Sequence, residues 1–126
     1  MPKQETFLSE TANGVVVEVV KTYDRSYARE VFSAAGDGAR KALATSLDIQ
    51  KNYEQDDIPD PDGSDYDDFL WQELLDAAVE DVRQYPTLSS FFVVTETREG
   101  KTADIYISAD LPSAETFARG RIAAAR

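Results

Sequence analysis

The chain opens in alternation. Residues 5–11 and 15–23 alternate apolar and polar positions on either side of Asn13-Gly14. That dipeptide accepts the positive φ which a type I′ turn needs at both central positions, so the segment predicts a β-hairpin. Pairing across the turn puts Leu8, Ala12, Val15, Val17 and Val19 on one face. Phe7, Ser9, Thr11, Val16, Glu18 and Val20 fall on the other, which reads as half-exposed.

Residues 25–47 change to helical spacing, with Asp24 or Thr22 as N-cap. Tyr27, Val31, Ala35, Ala42 and Leu43 share a face if the helix runs straight through. Gly36-Asp37-Gly38 argues for a break, since an interior glycine costs about 1 kcal/mol relative to alanine. Residues 52–65 read as loop, because Pro59 and Pro61 disfavour helix. Residues 67–85 carry the strongest helical pattern, stopped by Pro86. Leu70, Trp71, Leu74, Leu75, Ala78, Val79 and Val82 fill one half of its wheel, which assigns Trp71 to the core. Glu73, Asp76 and Glu80 occupy the other half.

A second hairpin is expected over 89–98 and 101–108 about Glu99-Gly100. Simple pairing groups Phe92, Val94, Ala103, Ile105 and Ile107 on one face, and Phe91, Val93 and Tyr106 on the other. Pro112 or Ser113 then opens a terminal helix with Ala114, Phe117, Ala118, Ile122 and Ala125 as its apolar stripe. The order is ββααββα. It predicts a single α+β domain over residues 1–126, an antiparallel sheet of two hairpins with helices packed on one face. At 126 residues the chain is long enough for a core without disulfide or metal staples.

Composition narrows the chemistry. With no Cys and no His, disulfides, thiol catalysis, Cys/His zinc sites and histidine-based triads are excluded. No catalytic residue, cofactor or metal site stands out. The apolar run around Val15–Val20 is too short to span a bilayer, and the first ten residues lack the apolar core of a secretory signal, so a cytoplasmic setting is expected.

Net charge is −11, which disfavours direct binding to nucleic-acid phosphates. Its distribution says more. Residues 1–53 hold seven acids and seven bases, and residues 86–126 hold five of each. Residues 54–85 hold twelve acids against Arg83 alone, so this one segment carries the whole net charge. Asp57, Asp60, Asp62, Asp65, Asp67 and Asp68 in the loop, continued by Glu73, Asp76 and Glu80 on the helix, form the candidate binding strip. The three helix acids rise over about 10 Å, a charge spacing in the range of a nucleic-acid strand. Holding like charges together costs stability, which asks for a compensating use.

Other chemistries fit less well. Setting Gly63 at the sixth position of an EF-hand loop puts Asp60 and Asp62 in register, but Ile58 and Phe69 then occupy both anchoring positions. Weak divalent-cation binding is left as a lesser alternative. Pro59-Asp60 with Glu99-Gly100-Lys101 has the letters of a metal-dependent nuclease arrangement, yet its parts fall in a proline-rich loop and a hairpin tip. Gly36 to Lys41 lacks the spacing of a phosphate-binding loop. The expected function is therefore non-enzymatic. It is a small acidic protein-binding module whose strip docks on a basic partner surface, in the manner of an immunity or anti-defence inhibitor. The alternative is a structural or oligomeric subunit, a dimer for instance, joined through Phe91, Val93 and Tyr106.

Overall fold

A computed structural model describes residues 5–78 and 90–126. Four strands form one antiparallel sheet in the order β1 (Glu5–Ala12), β2 (Val15–Thr22), β3 (Phe91–Arg98), β4 (Lys101–Ser108). Between the hairpins run α1 (Arg25–Ala34), α2 (Asp37–Ser46), α3 (Ile49–Asn52), a 3-10 turn at Gln55–Asp57 and α4 (Asp65–Ala77); α5 (Leu111–Ala125) closes the chain. The single α+β domain built on two hairpins is thus observed. The Val79, Glu80, Val82 and Pro86 positions assigned to the acidic helix and its stop lie outside the described residues.

Both hairpins turn where their dipeptides require. Asn13 and Gly14 have φ of 49° and 79°, and Glu99 and Gly100 have 51° and 78°, the positive pair of a type I′ turn. Asp24 caps α1 by accepting a hydrogen bond from the Tyr27 amide at 3.1 Å. The question of continuity at Gly36–Gly38, open in the sequence, is answered by a break at Ala35 and Gly36, both extended, which divides the single helix counted over 25–47 into α1 and α2. Asp48 ends α2 in the left-handed region at φ 55°, a conformation its short polar side chain tolerates. α3 falls between the helix expected over 25–47 and the loop expected from 52, and the 3-10 turn lies within that loop. Asp110, two or three residues ahead of the predicted start, caps α5 by accepting from the Ser113 amide at 2.8 Å.

The first hairpin buries the face its alternation assigns: Ala12, Val15, Val17 and Val19 are all buried. Ala114, Ala118 and Ile122 of α5, four residues apart and all buried, pack over this side. The opposite face is open at Ser9 and Thr11 and half-buried at Val16, Glu18 and Val20. Helices on one face therefore describe β1 and β2.

β3 is different. Its pairing with β2 groups Val94 and Glu96 with Val19 and Val17, and puts Phe91, Val93 and Thr95 on the reverse. All five are buried, so β3 is covered on both sides. α5 supplies Arg121 to Glu96 on the first side. Trp71 of α4 stacks on Phe91 on the second, with ring centroids 6.0 Å apart, and Phe32 of α1 lies 5.4 Å beyond.

The second hairpin departs from simple pairing. Thr95 pairs with Asp104, but Val94 pairs with Tyr106, leaving Ile105 as the extra residue of a β-bulge. The insertion reverses every later side chain of β4. Tyr106 joins the Val94 side and stacks on Phe117 at 4.4 Å, while Ile107 takes the place opposite Val93. A second bulge lies in β1 between Thr6 and Leu8, and leaves Phe7 43% exposed.

Candidate functional site

The acidic segment begins after α3 and wraps as a loop into the first turn of α4. Asp57 lies in the 3-10 turn. Asp60 folds the loop on itself: its carboxylate accepts from the Asp62 amide at 3.0 Å, and its carbonyl accepts from the Gly63 amide at 2.8 Å. Asp65, Asp67 and Asp68 occupy the first turn of α4, where anions suit the positive end of the helix dipole. Part of the charge that looked unexplained in the chain therefore has a local structural use.

Space changes the picture further. Arg40 of α2 donates to Asp67 at 2.6 Å, and Arg29 of α1 stands 3.9 Å from Asp68. Both guanidinium groups rest on aromatic rings: Arg29 lies 5.3 Å from the centres of Phe32 and Trp71, and Arg40 5.4 Å from Phe32. Arg29 Nη1 and Arg40 Nε are buried without a hydrogen-bond acceptor among the described residues. The adjoining ring faces supply an attraction that offsets part of this loss. Arg29 and Arg40 are the neighbours of the acidic segment that sequence reasoning missed. No local spacing links them to acids 39 and 27 positions away.

The helix acids diverge as well. Glu73 is half-buried and accepts a hydrogen bond from the Tyr53 hydroxyl, an arrangement that pushes the Tyr53 hydroxyl above its ordinary value. Asp76 is exposed and accepts from Gln72 at 3.0 Å on its own helix. Glu80 lies outside the described residues. The expected uniform strip thus resolves into two parts. Asp57, Asp60, Asp62 and Asp65 are exposed and carry no ion pair to another described residue. Asp67 and Glu73 are engaged by their own domain, and Asp68, exposed, stands 3.9 Å from Arg29.

Asp67→Asn is therefore expected to lower stability by about 1 kcal/mol, the scale of a partly exposed arginine–carboxylate pair. Asp62→Asn should leave stability unchanged or slightly raised. Urea midpoints of the two variants check this; equal midpoints would show that the Arg40 pair contributes nothing.

The loop also borders an open cleft of about 830 Å³, whose lining includes Lys41, Lys51, Asp62 and Tyr66. Two lysines thus stand beside the exposed acids. A shallower, mainly apolar groove of about 430 Å³ lies between α2 and α5 over Tyr106 and Phe117. Among the described residues no three carboxylates are grouped to hold a metal ion. No helix among them is long and apolar enough to cross a membrane.

Phe91, Val93 and Tyr106 do not form the common face that simple pairing predicts. The bulge at Ile105 places Tyr106 on the other side of the sheet, and all three are at most 1% exposed. They are core residues rather than an open patch. Comparison of the chain with protein-family models, with curated proteins and with solved structures finds no match.

Proposed function

We propose that this is a small cytoplasmic protein-binding module that docks the exposed acids of its loop on a basic surface of a partner protein, as an inhibitor occupying a nucleic-acid or substrate site does. The observation that carries this reading is the division of the acids just described. Asp57, Asp60, Asp62 and Asp65 face solvent without an ion pair to the described residues. Asp67, by contrast, is held by Arg40 at 2.6 Å, while Asp68 stands 3.9 Å from Arg29 and stays exposed. Arginine pairing accounts for Asp67, and the α4 dipole favours Asp65, Asp67 and Asp68 alike; Asp57, Asp60 and Asp62 of the loop have neither, and with Asp65 at the helix start they make an outward field. Such a field steers an oppositely charged partner and speeds encounter more than it adds contact energy.

The test separates the two groups. Asp57, Asp60, Asp62 and Asp65 changed together to Asn should keep the fold and slow partner association by about tenfold or more at low salt. The salt dependence of the remaining binding should flatten. Asp67→Asn with Asp68→Asn should cost stability and affect association less. Partners captured from native lysate at low and high ionic strength provide the measurement. Unchanged capture and salt response in the fourfold variant would reject the docking role.

A further inference from the structure

The first hairpin tip holds a reactive pair whose chemistry is tied to the packing of α5. Asn13 and Gly14 are both exposed. Gly14 has no side chain to hinder an approach of its backbone to Asn13, and nothing lies within 4 Å of where its Cβ would stand. The Asn13 side-chain amide donates to the Ala125 carbonyl at 2.7 Å, joining the tip of β1–β2 to the last turn of α5. It meets a helix C-terminus, where carbonyl oxygens lack intrahelical donors and the dipole is negative.

We propose that Asn13 is a site of spontaneous deamidation in the folded protein, and that losing its amide releases the end of α5. The Gly14 backbone nitrogen attacks Asn13 Cγ, the C–N bond to the side-chain NH2 breaks, and ammonia leaves with the Gly14 proton. The resulting five-membered imide is opened by solvent water at either carbonyl, giving aspartate or isoaspartate at position 13. No oxidant or cofactor enters the balance. The side-chain donor becomes a carboxylate facing the Ala125 carbonyl, so an attraction turns into a repulsion at the negative end of a helix. The isoaspartate product also adds a backbone atom to a two-residue turn. The hydrogen bond to Ala125 opposes the reaction until the tip opens, so the conversion proceeds more slowly in the folded protein than in the unfolded chain.

The chain supplies its own control, because its other asparagine, Asn52, is followed by the bulky Tyr53. Native and urea-unfolded protein are incubated at mildly alkaline pH and digested with trypsin, which separates residues 4–21 from the peptide that begins at Asn52. In the native sample the 4–21 peptide should give two isomeric products, each heavier by the difference between NH2 and OH. One of them should be a substrate for isoaspartyl methyltransferase. The Asn52 peptide should keep its mass; isomerisation at its Asp62-Gly63 step passes through the same imide but does not change that mass. A native 4–21 peptide that is unchanged when the unfolded chain has fully converted overturns the proposed site. For the second half, Asn13→Asp retains a turn-forming dipeptide, so the hairpin should persist. Amide exchange over residues 122–126 should then speed up by about fivefold, the effect of one lost hydrogen bond. Exchange equal to that of the parent overturns the link to α5.

Discussion

Trp71→Ala is expected to lower the melting temperature by on the order of 10 °C. Trp71 is half-buried and joins three elements: it stacks on Phe91 of β3 at an interplanar angle of 8°, touches Phe32 of α1, and lies under Arg29. Truncation removes these contacts and leaves a void beside Leu70 and Leu74, both fully buried. Tryptophan truncation in a core costs about 3–5 kcal/mol, and partial exposure places this site toward the lower end. For a chain of this size about 3 kcal/mol corresponds to the stated shift. The loss also removes a ring from Arg29, loosening the group that faces Asp68. Thermal unfolding followed by circular dichroism checks the prediction. A parent-like midpoint would show that α4 is held without this stack.

Glu96→Gln is the second large expected effect, and it carries a pH signature. Glu96 is 6% exposed on the sheet and accepts from Arg121 at 2.6 Å and Arg98 at 2.8 Å. Burial alone raises its pKa, but the hydrogen bonds and charges of the two arginines outweigh burial and hold the carboxyl below its ordinary 4.5. The folded state therefore binds this proton less readily than the unfolded chain. Its stabilisation is complete above the ordinary value and disappears as pH falls through the lower folded value. At neutral pH the substitution should cost about 2 kcal/mol, because both arginines are partly exposed and water relieves part of the loss. The gap between parent and variant should shrink as pH falls below the carboxylate range. Urea midpoints at neutral and strongly acidic pH give the comparison; a gap independent of pH would show that the ion pairs do not set the cost.

The parts of the fold that were legible in the sequence depend on local rules. Asn13-Gly14 and Glu99-Gly100 turn where the backbone must adopt positive φ, and Asp24 caps where a helix start needs an acceptor. The Gly36 region breaks the long apolar stripe because nothing there favours continued helix. The bulge at Ile105 was not legible. Its alternation reads equally well in either register, and burial of β3 on both sides removes the polar face that would have marked a shift. The candidate site was half legible. Its charge could be located along the chain, but Arg29 and Arg40 quench Asp68 and Asp67 only after α1 and α2 fold against α4. Lys41 and Lys51 enter the neighbourhood in the same way, through tertiary placement.

The bulge in β1 has a consequence for how molecules meet in a concentrated solution. β1 is an edge strand, and an eight-residue edge with a regular row of backbone donors and acceptors would template another chain. The offset between Thr6 and Leu8 interrupts that row near its N-terminal end, and Phe7 leaves the regular pleat to meet Phe92 edge-on at 5.7 Å. Glu5 adds a negative charge beside the irregular stretch that repels an identical strand, while Glu10 is paired with Arg119 at 3.5 Å. The irregularity thus opposes the addition of a further strand at β1 and works against fibril growth from this edge.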